Sequence, residues 1–262
     1  AERDFNRIDI EGHSPDAVEQ ALAPFERQAA TASRNVIETE RIPNNEDWNS
    51  ILNLLGLIAV RNPQSQKSFN YSREQVVYAI NDLLVSDKTI WDHHVKKVRE
   101  SGVSIDGSVS FEDVKRLVKG RTYQIEFSPK NNLRVEFRTF DKLLPFLGQR
   151  TWSVLVAPHD GSEFICSDHP VTLVWKGERS GPVGYGLRGT EVFFPLGRRV
   201  GFYGVLETAL RPVVKCSPLH AATMNRRVEF NAERHVYSAL KSFCIWHEGQ
   251  IREVHCGSNV SV

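Results

Sequence analysis

At Arg150 the spacing of the apolar residues changes, and that change constrains the fold more than any other feature of the chain. Upstream, apolar side chains recur every three or four residues; downstream they alternate. The first spacing gathers side chains along one side of a helix, and the second gathers them on one face of a strand. A chain with helices first, then mainly strands, is expected to be α+β: a helical half packed on a mainly antiparallel sheet, with late helices near the C-terminus.

The helical half reads in segments. Ser14 and Pro15 open the first, because a serine hydroxyl caps a free amide and proline suits the first helical position; Val18, Ala21, Leu22, Phe25 and Ala29 form its stripe. The second carries Trp48, Ile51, Leu52, Leu55, Ile58 and Ala59 and stops near Asn62, since Pro63 disfavours helical geometry before it. Ser72 and Gln75 fit a capping box for a third, with Val76, Ile80, Leu83 and Leu84 facing inward. A fourth runs from about Lys88, a shorter one follows Ser110, and another lies near Phe140 to Leu147. The expectation is one domain over residues 1–262, with a helical subregion 1–149 and an α+β subregion 150–262.

Beyond Arg150, Trp152, Val154 and Val156 alternate, Asp160-Gly161 is a turn signal, and FICSDHPVTLVW (Phe164 to Trp175) is the expected returning strand. EVFFPLGRRVGFYGVL reads as two strands around Gly-Arg-Arg. The glycine-rich stretch from Lys176 to Gly189 lacks the phosphate-cradling spacing and reads as a mobile flap. Helices are expected from Leu219 to Phe230 and from Asn231 to Leu240, before a closing hairpin that turns at Glu248-Gly249.

Charge and cysteine content narrow the function. Thirty-three basic and 32 acidic residues leave a net charge of +1, which provides no general field for nucleic acid or an anionic membrane. No segment reaches the ~20 apolar residues that span a bilayer, and the polar start AERDFNRIDIEG is no signal peptide, so a cytoplasmic protein is expected. The chain opens at Ala1 without methionine, which points to a segment upstream. Cys166, Cys216, Cys244 and Cys256 form no CxxC pair and read as independent reduced thiols. Cys244 and His247 fall on opposite faces of one strand, which opposes shared ligation; no metal and no other cofactor is expected.

Several polar residues conflict with their apolar surroundings. Glu26 borders the stripe of the first helix. Arg61 ends the second, where it favours the helix C-terminus or presents a fixed guanidinium to an anion. Asn225 stands beside Met224 and Val228, and Arg234 and Ser238 are one turn apart on the expected last helix. Ser167, Asp168, His169 and Pro170 interrupt two strand-like runs. Adjacent side chains cannot line up as nucleophile, base and orienting acid, so this is no hydrolase triad. Asp168 is left as a turn former or as a carboxylate aimed at the end of the sheet.

SPDAVEQALAPFERQAATA, LLGLIAVRNP, RTWSVLVAP, FICSDHPV, VFFPL and MNRRVEFNAERHVYS resemble, in this order, the bacterial family called domain of unknown function 4238. The resemblance covers about Asp4 to Leu240, and by motif the family's polar positions fall on Glu26, Arg61, Asp168, Asn225, Arg234 and Ser238. The family's upstream histidine-containing segment is absent here, and Asn62 stands where the family has threonine. The resemblance brings no reaction with it. Two classes of function follow from the residues themselves. The first is a metal-independent, hydrolase-like enzyme on a phosphate-bearing or nucleic-acid substrate, with Asp168 or Glu26 as acid–base, Arg61 and Arg234 on the anion, and Asn225 and Ser238 completing the site. The second is a non-catalytic module that binds a small anionic ligand or a protein partner. A purely structural polar network is the third reading.

Overall fold

The computed structural model describes residues 14, 16–104, 110–160, 162–177, 179–207 and 209–256. Its contacts group the chain into two compact units: Ser65–Ser128, and the remainder, which runs up to Gln64 and resumes at Pro129. The α+β class holds, with helices before a mainly antiparallel sheet. Pro15 and Gly161, named above as a helix start and a turn residue, lie outside the described residues.

The first helix does not start on a serine cap as expected: α1 (Ala17–Thr39) has Asp16 as its N-cap with no side-chain capping bond among the described residues, and Ser14 Oγ accepts only the Asp16 N–H at 3.3 Å before it. α1 buries Val18, Ala29, Ala32 and Val36; Leu22 and Phe25 are half-buried and Ala21 is exposed. Side-chain caps do set later helices. Asn44 caps α2 (Asn45–Val60) by accepting the Asp47 N–H at 2.9 Å. This helix stops before Pro63, as expected, and Asn62 Nδ2 closes it by donating to the Ile58 and Ala59 carbonyls.

In the Ser65–Ser128 unit the expected capping box is not a helix start. α3 (Pro63–Leu84) already begins at Pro63, and the Ser72 hydroxyl donates to the Ser68 carbonyl within it. The stripe expected to face inward is exposed at Val76, Ile80 and Leu83, and Leu84 is half-buried. The covered side carries Tyr78, Asn81 and Arg73. The Tyr78 ring meets Tyr123 edge-on at 5.6 Å, and the Arg73 guanidinium lies 3.8 Å from the centre of the Phe127 ring. Aromatic and cation–π contacts from the 121–127 segment thus choose the face that apolar spacing does not. α4 (Lys88–Glu100) and α5 (Phe111–Gly120) follow, capped by Asp87 and Ser110.

α6 (Pro129–Gly148) returns to the first unit and leads into the strands: β1 (Thr151–Val156), β2 (Cys166–Ser167), β3 (Thr172–Trp175), β4 (Thr190–Pro195), β5 (Val200–Val205) and β6 (Val213–Lys215). α7 (Pro218–Asn231), β7 (Val236–Tyr237), β8 (Ser242–His247) and β9 (Gln250–His255) complete the described chain. The main sheet has the order β3-β4-β5-β1-β6, with only β1 and β6 parallel. β1 therefore lies inside the sheet, paired with β5 and β6, and the expected hairpin between it and Phe164 to Trp175 does not form. That segment splits instead, β2 pairing with β7 and β3 with β4. The β4–β5 hairpin forms as expected, and so does β8–β9, whose turn residues Glu248 and Gly249 take φ of 48° and 82°.

The sheet is covered on both faces. Trp48 of α2 packs against Trp152 and Phe202, at 5.7 and 5.3 Å between ring centres. Gly204 permits this, since a Cβ there would lie 2.8 Å from the Trp152 ring. On the other face, Leu155, Phe164 and Phe193 form one cluster with Ala221, Met224 and Val228 of α7 and with Phe243 and Ile245 of β8.

One further expectation is corrected. Among the described residues the second late helix, expected from Asn231 to Leu240, does not form: α7 ends at Asn231, and residues 232–240 hold bends and the short β7. The loop read as a flap is hydrogen-bonded at several points. Buried Arg150 donates to the carbonyls of Tyr185 and Thr190, and Trp175 Nε1 donates to Gly181. Among the described residues no helix is long and apolar enough to cross a membrane.

Candidate functional site

The polar break in FICSDHPVTLVW is a turn that fastens two distant segments. The Asp168 carboxylate accepts the backbone N–H groups of Glu233, Arg234 and His235 at 3.0, 2.8 and 3.3 Å. The Asp168 N–H donates to the His235 carbonyl at 3.1 Å. Three amides converging on one carboxylate are charge-assisted bonds, and they hold residues 233–235 where a helix was expected. Asn231 Nδ2 fixes the far side by donating to the carbonyls of His169 and Val171. The His169 N–H donates to Ser167 Oγ, and burial holds the His169 imidazole below its usual pKa.

Asn225 is fully buried on α7, and both ends of its amide are hydrogen-bonded. Its Oδ1 accepts the Ile165 N–H at 3.0 Å, while Nδ2 donates to the carbonyls of Glu163 and Cys244 at 2.8 and 2.9 Å. The side chain replaces a neighbouring strand for the segment that leads into β2. A buried amide bonded on three sides is a structural bridge, so Asn225 is sealed and is not the floor of an open cleft.

The other nominated residues separate. Arg61 Nε contacts Glu136 Oε2 of α6 at 3.1 Å, with both side chains buried. Glu26 is exposed on α1. Arg234 is exposed, and with no helix beyond Asn231 it does not form a one-turn pair with Ser238. Ser238 Oγ accepts the Leu240 N–H at 3.1 Å. Four of the six residues, Asp168, Asn225, Arg234 and Ser238, thus belong to the structure around β2, β7 and α7, while Arg61 is committed to Glu136 and Glu26 stands on α1.

Sequence reasoning passed over the buried acids Glu136, Glu191 and Glu229, the last paired with Arg226 at 2.6 Å. Glu136 shares a helical stripe with Phe140, Leu143 and Leu147, and a carboxylate in such a stripe calls for a buried cation. Glu191 shares a strand face with Phe193; its Oε2 lies 2.5 Å from Arg227 Nη2. Burial and a hydrogen bond to Glu191 push the Tyr203 hydroxyl well above its ordinary pKa. The period-two pattern of TEVFFP carried that signal.

Beside the Asp168 turn is a cleft of about 280 Å³. Phe164, Ile165 and Cys166 line one side, Leu196 and Arg198 another, and Tyr237 and Ser238 a third. Three of the stretches quoted above, FICSDHPV, VFFPL and MNRRVEFNAERHVYS, therefore meet around one space. Its lining is largely apolar. Arg198 stands at its edge with a mostly exposed side chain, 3.7 Å from Glu163, whose buried Oε2 finds no hydrogen-bond partner among the described residues. Burial raises the Cys166 thiol above its usual pKa and keeps it in the weakly nucleophilic protonated form.

No curated protein and no solved structure matches the chain. A family model does match, over residues 1–242, and that span takes in the helices, the five-stranded sheet and all three stretches that line the cleft. The chain therefore belongs to the family described as "Protein of unknown function (DUF4238)".

Proposed function

We propose that the chain is a non-catalytic binding module whose cleft beside β2 and β7 takes a small ligand with an apolar body and an anionic head. The observation that carries this reading is the cleft itself, an apolar space of about 280 Å³ with Arg198 at its edge. Its size approaches that of small-ligand sites, and such sites are mostly apolar with a few placed polar groups. The acids considered for catalysis are engaged or lie on another element: Asp168 accepts three amides and Glu26 is exposed on α1. A hydroxyl or thiol nucleophile needs an activating base, whereas Ser238 accepts a backbone amide and Cys166 is held protonated. Four free thiols, one of them the exposed Cys256, accord with a reducing cytoplasmic compartment.

Octanoate, octanol and octylamine provide the test by calorimetric titration and thermal melting. Octanoate is expected to bind and stabilise, octanol to bind more weakly, and octylamine least. Arg198→Ala should erase the preference for the acid, and Ala239→Phe should fill the cleft and abolish binding of all three. Equal binding of octanoate in wild type and Arg198→Ala defeats the proposal. So does hydrolysis of p-nitrophenyl phosphate that is lost in a folded Asp168→Asn protein, which would restore the enzyme reading.

A further inference from the structure

We propose that the ligand of the cleft beside β2 and β7 is a free α-amino acid with an apolar side chain, its carboxylate held by Arg198 and its ammonium by Glu163. This rests on the cleft being a ligand site, as read above, and names the class of molecule that fills it. Glu163 directly precedes the Phe164–Cys166 wall, and Arg198 belongs to another wall. The two side chains approach to 3.7 Å, Arg198 Nε to Glu163 Oε1, which allows charge attraction but is too long for a hydrogen bond. Among the described residues no group donates to either side-chain oxygen of Glu163, and the Arg198 guanidinium donates to none. Yet the Glu163 side chain is only 16% exposed, and its Oε2 is buried. A carboxylate taken from water in this way costs free energy until a donor replaces the water.

Charge and spacing select the occupant. The pair sums to zero, so a plain carboxylate leaves Glu163 without a donor and a plain amine leaves Arg198 facing another cation. A zwitterion answers both: its carboxylate accepts from the guanidinium, and its ammonium donates to Glu163. Side chains that approach to 3.7 Å require the ligand's two charges on one carbon. An α-amino acid has them there, whereas the termini of a peptide or of an ω-amino acid lie too far apart. The rest of the cleft selects the side chain. Phe164, Ile165, Leu196 and Tyr237 give apolar walls to a space of about 280 Å³, which suits a molecule the size of a single amino acid.

Calorimetric titration with octanoate, 2-aminooctanoate and 8-aminooctanoate tests this on three acids that share one carbon chain. 2-Aminooctanoate is expected to bind about tenfold more tightly than octanoate, the gain from a hydrogen bond between charged groups. 8-Aminooctanoate, which carries its ammonium into the apolar end, should not bind. Glu163→Gln keeps the shape of the side chain and should bring 2-aminooctanoate down to the affinity of octanoate. 2-Methyloctanoate, with a methyl group where the ammonium stands, reads the same contact on the wild-type protein and should bind no better than octanoate. Binding of octanoate with no gain for 2-aminooctanoate overturns the proposal and leaves the cleft to plain anions. A gain that survives in Glu163→Gln, or that 2-methyloctanoate reproduces, overturns it too. If none of the acids binds, the proposal and the reading it rests on fail together.

Discussion

Asp168 and Arg234 are joined through main chain, not through opposite charges: the carboxylate accepts the Arg234 backbone N–H at 2.8 Å, and the arginine side chain is exposed. A pair that looks in sequence like an acid and its cation is a turn holding a loop in place. Through these bonds Asp168 positions β7 and, with it, one wall of the cleft.

Replacing Asp168 tests that role. Asp168→Asn keeps one acceptor oxygen and is expected to cost about 1–3 kcal/mol, as for charge-assisted hydrogen bonds to backbone amides; Asp168→Ala should cost more. Urea unfolding gives the magnitude, and amide exchange locates it, with protection lost first at Glu233, Arg234 and His235. Unchanged exchange at those three amides would contradict the assignment.

Asn225 should be among the least replaceable side chains. Asn225→Leu strands the Ile165 N–H and the carbonyls of Glu163 and Cys244, and is expected to cost roughly 3–5 kcal/mol, the range of a broken buried network. Asn225→Asp should do no better, because it sets a carboxylate against two carbonyls. A denaturation midpoint close to wild type in either variant would show that the bridge is dispensable.

The buried pair Arg61–Glu136 calls for a double-mutant cycle. Each of Arg61→Met and Glu136→Leu alone is expected to cost about 3–5 kcal/mol, because it takes from a buried charge the opposite charge at 3.1 Å. The double variant should recover most of that loss. Additive losses would mean that the two groups act separately.

Stability should fall at both ends of the pH scale for identifiable reasons. Burial lowers the folded-state pKa of His169, so the unfolded chain binds a proton first as the pH drops below about 6.5, and stability declines there. Burial pushes the Cys216 thiol up to about 11 from 9.0, so the unfolded chain loses its proton first, and stability declines as the pH rises between those values. Thermal melting across pH checks both. His169→Gln should flatten the acid limb and Cys216→Ala the alkaline one, and limbs unchanged by these substitutions would refute the assignments.

Sequence alone determined the elements whose cause is local. The caps at Asn44, Asp87 and Ser110, the stop before Pro63 and the two hairpins follow from side chains within a few residues of the backbone they satisfy. The α+β class follows from the change of period at Arg150 for the same reason. Tertiary structure decided which neighbours those elements meet. Alternation gives the two faces of β1 but not its partners, and burial between β5 and β6 selected these over Phe164 to Trp175. Residues 232–240 have a helical pattern, yet three amides bound to Asp168 are worth more there than helix propensity, which is a weak local preference. The covered side of α3 was set by Tyr123 and Phe127, residues remote along the chain from the stripe they leave exposed. Asn225 was legible as a polar residue at a core boundary, but its three bonds reach Glu163, Ile165 and Cys244, and only folding brings those groups to one amide.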